Sequence, residues 1–483
     1  MPANSTKALP DTATLTPDAV PFRARAAWVM FDWSAQPLYT LILTFLFAPY
    51  FATAVASSPE HGQALWGYGA AIAGILIAFG SPFLGAMADG GGRRKPWIAG
   101  FAVIMAASMT LLWWAKPGAD TTTILLILFA FVTATAAAEF ATVFTNAMMP
   151  TLATHDQLGR LSGLGYAVGY AGGLASLIIM AGLIVTSPAT GKTLLGLDPV
   201  IALDATQREG DRLVGPFAAI WFLIFMVPFF LMVPDIRNRR SAQSANRTAL
   251  QELASTIAGL KHDGNMMLFL LSRMIYVDGL TAIFTFGGIY GTAVFGWTAF
   301  ELGLFGIILS LTGAAGAFIG GFLDDRIGAK RVIVWSLAVL VISAMGILSV
   351  TPTHVLYGLP VTPRLAGAAP FSSTGELVYL AFAMMIGFVA APTQAASRSL
   401  LARLAPREKI TQYFGLFAFS GKVTAFIAPL LVATVTQATQ SQRIGVAVIV
   451  VFLMVGLVLM LGVRERPHNG RSAALTGSDA PAA

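Results

Sequence analysis

Five ionisable side chains lie inside long apolar runs: Asp32, Glu139, Arg273, Asp278 and Lys422. A charge in hydrocarbon is costly, so such groups are paired or functional. A carboxylate at that depth can take up and release a proton as its hydration changes, and a buried base can hold an anionic group. Asp32 shares a helix face with Gln36 and Tyr39, four and seven residues on. This stripe fits either solute or proton binding, or a hydrogen bond between helices. Arg273 and Asp278 are five residues apart, about 140° around a helix, and are not a natural same-face pair. Arg273 can snorkel to the interface or act as an interhelix charge. Lys422 follows Gly421 deep within its run and favours a cavity-facing role. Glu139, between Ala138 and Phe140, fits a proton carrier or a buried partner for a cation.

Two short turns carry a second chemistry. Gly85-Ala-Met-Ala-Asp89-Gly-Gly-Gly-Arg93-Arg94 matches Gly321-Phe-Leu-Asp-Asp325-Arg326-Ile-Gly-Ala-Lys330 at an offset of 236 residues. The pattern is G-x-[LM]-x-D-[R/G]-x-G-x-[KR]. Its carboxylate can accept from a neighbouring helix N-terminus or pair with an arginine, latching two helices. The expected gating residues are Asp89, Arg93, Arg94, Asp325, Arg326 and Lys330. Gly90 stands where the second copy has Arg326, so the first latch is expected to lack one ion pair. Three further pairs keep register: Asp32 with Asp278, Thr145-Asn146-Ala147 with Thr393-Gln394-Ala395, and Gly169-Tyr170 with Gly421-Lys422, at offsets of 246, 248 and 252. Four pairs in order indicate duplication.

The positioning elements follow from composition. Of 483 residues, 56% are hydrophobic and 11% charged, against about 25% charged in soluble domains. Too little polar surface remains to cover a water-soluble core. Runs of about 20 apolar residues lie near 27–56, 66–88, 96–115, 122–147, 161–184, 213–234, 266–295, 302–323, 331–351, 376–396, 411–436 and 444–463. These predict an all-α membrane protein of twelve transmembrane helices in two pseudo-symmetric six-helix bundles. The expected organisation is a disordered N-terminus over 1–24, bundles over 25–234 and 266–464, a linker over 235–265 and a disordered tail over 465–483. Within the linker, Thr248–Leu260 alternates at helical spacing. With both termini inside, inner segments hold 22 basic residues and outer loops six, which predicts N-in, C-in topology. The formal charge of +7 is explained the same way, so no nucleic-acid partner is expected. No apolar run precedes the first span, so no cleaved signal is expected and the first helix targets the chain.

The stretches AWVMFDWSAQPLY (27–39), TNAMMPTLA (145–153), SRMIYVDGL (272–280), PTQAASRSLLARLAPREK and FGLFAFSGK (392–422) narrow the reading. Together with the duplicated turn, they resemble the vacuolar amino-acid effluxer branch of the major facilitator superfamily, from about residue 25 to 465. The resemblance implies a secondary transporter in a bacterial inner membrane that works by alternating access. It implies export of amino acids or related small solutes; a multidrug or metabolite exporter and a non-transporting receptor remain the alternatives. The expected partners are a small-molecule substrate, protons as coupling ion and the lipid bilayer, and the expected state is a monomer.

No cofactor or metal is expected. The chain has no cysteine, and its five histidines lie in polar connectors or the tail. Neither H-E-x-x-H nor G-x-S-x-G occurs, which argues against a membrane enzyme. Gly191-Lys192-Thr193 is not a phosphate loop, because Thr186 stands where it needs glycine. The expected solute site lies between the two halves, with Gln36, Asn146, Tyr170, Tyr276, Gln394 and Lys422 as binding residues. The repeat-equivalent amides Asn146 and Gln394 can each donate and accept, or can tie neighbouring helices together. Asp32, Asp278 and Glu139 are the expected proton-coupling carboxylates, with Asp32 favoured because it lies roughly 10 Å along its helix from Arg25. Gly165, Gly169 and Gly173 repeat every four residues and predict close helix contact.

Overall fold

The computed structural model describes residues 20–91, 93–187, 190–235, 249–297, 299–364 and 369–465. Apart from short joins, the expected disordered ends and the arginines of the linker lie outside these residues. The helices are α1 (Phe22–Pro37), α2 (Phe47–Tyr50), α3 (Pro59–Gly91), α4 (Lys95–Leu111), α5 (Thr121–Ala147), α6 (Met149–Leu152), α7 (Leu158–Ile179) and α8 (Glu209–Met232). They continue with α9 (Ala249–Leu260), α10 (Gly264–Phe295), α11 (Ala299–Ile327), α12 (Ala329–Leu348), α13 (Thr374–Leu404), α14 (Ile410–Ser420), α15 (Ile427–Thr439) and α16 (Gln442–Gly462). A two-stranded antiparallel hairpin, β1 (His354–Val355) with β2 (Leu359–Pro360), lies between α12 and α13.

Among the described residues, eleven helices are long and apolar enough to cross a membrane, and Ile427–Thr439 is a shorter apolar one. The expected eleventh span is therefore divided into α14 and α15. Through the turn, the amides of Lys422 and Val423 both donate to the Phe419 carbonyl at 3.0 Å. Ala425 then donates to Lys422 at 3.3 Å and Ile427 to Thr424 at 2.8 Å, so the backbone tightens to three-residue steps. Gly421 forms helix weakly, and Pro429 denies the Ala425 carbonyl its donor. The expected tenth span also runs further than 396, because α13 continues to Leu404 and takes Arg398 and Arg403 into the protein.

The chain forms two compact units. Unit 1 comprises Met1–His155, Ala175–Ser255 and Pro406–Ala418; unit 2 comprises Asp156–Leu174, Thr256–Ala405 and Phe419–Ala483. Each therefore includes a segment from the other half of the sequence. In unit 1, α1 packs on α8, α3 on α5, and α4 on both α5 and α8. Trp66 stacks on Phe131 at 4.0 Å, beside the buried cluster of Ala73, Ile77, Val132 and Ala136. In unit 2, α13 packs on α11 and α12, and α16 on α10, α12 and α15.

Prolines leave orphan carbonyls, and side chains or glycines accommodate them. Pro37 ends α1 and cannot donate to Trp33, whose carbonyl instead accepts from Trp221 Nε1 at 3.2 Å. Beyond Pro37 the first span continues as π-helical turns over Leu38–Phe45. Pro392 likewise strands the Phe388 carbonyl, which presses on Gly316 so closely that a Cβ there would lie 1.7 Å away.

Candidate functional site

The first duplicated turn is built between α3 and the first residues of α14, which lie within unit 1. Gly85 permits the approach: a Cβ would lie 2.6 Å from the Thr411 carbonyl oxygen and 2.9 Å from Gln412 Cα. Four residues on, the Asp89 carboxylate accepts from the amides of Thr411 (3.3 Å) and Gln412 (2.9 Å). These are the second and third residues of α14, where the helix dipole favours an anion. Arg94 lies 3.5 Å from Asp89 and donates through Nε to Thr411 Oγ1 at 2.9 Å. Arg94 thus gives the first latch one ion pair, whereas Arg93 is exposed.

Unit 2 repeats the arrangement with different arginines. At Gly321 a Cβ would lie 2.9 Å from the Gly159 carbonyl oxygen and 3.0 Å from Gly163 Cα. The amides of Gly159 and Arg160, second and third in α7, face Asp325. Its carboxylate pairs with Arg160 at 3.4 Å and Arg403 at 3.7 Å. Arg326, expected to supply that pair, is exposed, and forms no ion pair among the described residues. Sequence reasoning missed Asp324, which is 1% exposed and pairs with Arg403 at 2.5 Å; Ser399 also donates to it.

A second duplicated device escaped the sequence reading. Asp235, after α8, accepts from the amides of Arg94 (3.0 Å) and Lys95 (3.3 Å) and so caps α4. Glu465, after α16, accepts from Ala329 (3.1 Å) and Lys330 (2.9 Å) and caps α12, while Arg403 also pairs with it at 3.0 Å. Lys95 Nζ donates to Phe230 O and Lys330 Nζ to Leu461 O, both at 2.8 Å. The signal was present as Val233-Pro-Asp235 and Val463-Arg-Glu465, 230 residues apart.

Of the expected solute and coupling residues, unit 1 holds Asp32, Gln36 and Glu139, all half-buried, and Asn146, which is buried. In that unit Trp28 Nε1 donates to the Thr145 carbonyl at 2.8 Å, fixing α1 against the end of α5 beside Asn146. Unit 2 holds Tyr170, Tyr276, Asp278, Gln394, Lys422 and Arg273. Ser397 Oγ donates to Thr393 O at 2.5 Å, so the Tyr276 hydroxyl donates to Ser397 at 2.5 Å. Gln394 Nε2 lies 3.5 Å from its own helix carbonyl at Ala390. The Tyr170 ring packs on Gly313. Arg273 Nη1 donates to Ser420 Oγ at 2.8 Å, and Asp278, 2% exposed, faces Thr424.

Arg398 is an addition that sequence reasoning had placed in a loop. It is 3% exposed, donates to Ser162 Oγ (2.8 Å) and Ser162 O (2.7 Å), and lies 4.7 Å over the Tyr166 ring. It ties α13 to α7 in unit 2. At the far end of α13, Arg364 bridges Glu301 and Glu376, which also accepts from Trp297 Nε1 at 2.9 Å. Among the described residues, no group of three or more His, Cys, Asp or Glu is arranged to hold a metal.

A duplicated all-α bundle with a carboxylate-capped turn in each half defines a transporter of the major facilitator type, and the solved structures agree on the fold. The chain superimposes on FucP, a major facilitator superfamily transporter in the outward conformation, with TM-score 0.67 and 14% identity, covering 92% of this chain and 99% of that one. A bacterial homologue of the iron transporter ferroportin in the outward-facing state gives TM-score 0.64 at 13% identity, covering 91% and 98%. In sequence, the chain is 24% identical to the MFS-type transporter YxiO of Bacillus subtilis over 91% of its length and 94% of that protein. It is 26% identical to autophagy-related protein 22 of Yarrowia lipolytica over 62% of its length, and spans about half of that fungal relative. Residues 60–473 match the family described as "Vacuole effluxer Atg22 like". The chain belongs to that family, and it is an integral multi-pass membrane transporter rather than an enzyme.

Proposed function

We propose that the protein is a secondary active transporter that exports amino acids or related small solutes by alternating access, driven by protons. Family membership and the name of the effluxer family support the solute class. The observation that carries the mechanism is the pair of carboxylate latches, Asp89 on α14 and Asp325 on α7. Each is a contact that one conformation makes and another breaks, as a two-state carrier requires. The excess of basic residues on one set of loops supports placing the latch-bearing turns and both termini in the cytoplasm, with the bundle in a bacterial inner membrane.

For coupling, burial favours Asp278 over Asp32. Asp278 is 2% exposed and its Oδ1 accepts no hydrogen bond, whereas Asp32 is half-buried. We read Asp278 as the group that carries a proton while shielded from water and releases it when water reaches it. The test uses purified full-length protein in proteoliposomes with a trapped pH-sensitive dye. Outward gradients of individual amino acids are expected to drive proton movement that Asp278→Asn abolishes while solute exchange survives. No proton movement above empty liposomes with any amino acid, or full coupling in Asp278→Asn, overturns the reading.

A further inference from the structure

The eleventh span is broken in its middle, and α10 brings one charged group to each end of the break. Arg273 donates to Ser420 Oγ, on the last residue of α14, at 2.8 Å. Its guanidinium also occupies the space beside Gly421, where a Cβ would stand 2.8 Å from Nη1 and 3.1 Å from Nη2. Gly421 has ordinary backbone angles, so its missing side chain serves the arginine and not the turn. Five residues along α10, Asp278 faces Thr424, within the turn that leads to α15. Neither Asp278 Oδ1 nor Thr424 Oγ1 completes a hydrogen bond of good geometry. Both atoms are shielded from solvent.

Arg273 is therefore hydrogen-bonded to the neutral Ser420 hydroxyl and attracted by the charge of the Asp278 carboxylate, two acceptors of unequal strength. A hydrogen bond to a charged acceptor is roughly twice as strong as one to a neutral acceptor. The winner of that competition depends on the proton at Asp278. We propose that Arg273 is the positioning residue that couples the charge on Asp278 to the bend of span eleven. With Asp278 neutral, the guanidinium stays on Ser420 and Gly421 and holds the end of α14. With Asp278 charged, it turns to the carboxylate and frees the turn, so α15 shifts against α10.

The proposal rests on the reading of Asp278 as the coupling carboxylate, and adds how its proton is converted to motion. Lys422 is the other cation in the turn, α15 carries no charged residue, and α16 carries only Arg443, near its start. Against this stretch of α10, α16 presents Leu453 and Phe452 to Gly279, and Gly456 to Tyr276; α13 contributes the neutral Ser397.

The test needs no transported solute. In the naturally cysteine-free chain, full-length protein with Thr281→Cys on α10 and Thr434→Cys on α15 is spin-labelled in nanodiscs. Pulsed electron resonance then measures the label separation from mildly acidic to mildly alkaline conditions. A change of mean separation of about 2 Å or more is expected, on the scale of helix shifts in such transitions. Asp278→Asn should hold the acidic distribution at every pH. Arg273→Gln should abolish the change, and Arg273→Lys, which can still serve either acceptor, should retain it. Labels at Ile342→Cys and Leu377→Cys, on α12 and α13, should not respond. If Arg273→Gln fails to fold, Gly421→Ala makes the same test, because its methyl displaces the guanidinium. No change in the parent pair, a change that survives Arg273→Gln or Gly421→Ala, or an equal change in the control pair overturns the proposal. Loss of proton flux in liposomes with this change intact would instead count against the transport reading alone.

Discussion

Replacing Asp89 by asparagine tests the first latch almost isosterically. The wild-type carboxylate accepts two amides at 3.3 and 2.9 Å and faces Arg94 at 3.5 Å, with both side chains at most 5% exposed. Asparagine keeps one acceptor oxygen, turns an NH2 group toward an N–H donor, and leaves Arg94 buried without its anion. Removing one partner of a buried pair costs about 3–5 kcal/mol. Arg94 keeps Thr411 Oγ1 at 2.9 Å, which favours the lower figure. At 1.36 kcal/mol per tenfold, about 3 kcal/mol moves the joined-to-parted equilibrium of α3 and α14 by roughly a hundredfold. Ser81→Cys reports that equilibrium. Ser81 is fully buried where α3 meets Gly415, and its hydroxyl makes no hydrogen bond, so the exchange is mild. When opening is fast relative to reaction, the maleimide labelling rate follows the open population. We expect Asp89→Asn to raise that rate by about two orders of magnitude. A rise of less than about tenfold, in a variant with unchanged thermal stability, would refute the latch energetics.

Two further outcomes follow from the same geometry. Gly321→Val should lower the thermal unfolding midpoint by several degrees, because its Cβ meets backbone atoms at 2.9 and 3.0 Å; Gly100→Ala, with nothing within 4 Å, should not. An unchanged midpoint for Gly321→Val would show that α7 and α11 separate at little cost. Asp120 caps α5, and hydrogen bonds from Thr123 and Thr122 hold its carboxyl below the usual aspartate range. A lowered value means the cap contributes above the unfolded titration point and is lost as pH falls through the folded one. Amide protection in the first turn of α5, corrected for intrinsic exchange, should therefore persist below the ordinary range. Fading within that range would contradict it.

What could be read along the chain was whatever repeats locally. Apolar runs of spanning length follow from the length of hydrocarbon to be crossed, and among the described residues eleven of the twelve expected spans appear as long helices. The duplicated turns were legible because glycine and aspartate sit at a fixed spacing in both copies. The broken eleventh span was not, since hydropathy is indifferent to whether an apolar run is one helix or two.

The residues alone determined that Asp89 and Asp325 would seek a helix N-terminus or an arginine. Only tertiary structure decided which ones: Arg94 for one, Arg160 and Arg403 for the other, with α14 and α7 supplying the amides. The reason is distance along the chain. Asp89 and Gln412 lie 323 residues apart, so no local pattern links them. Arg398 and Arg403 read as loop residues, because a count of charges cannot tell a base facing water from one enclosed by α7 or by Asp324. Asp278 and Arg273 were visible as costly groups in an apolar run. Their relation to Gly421 and Thr424 depends on which face α10 turns toward the eleventh span, and packing, not periodicity, sets that rotation.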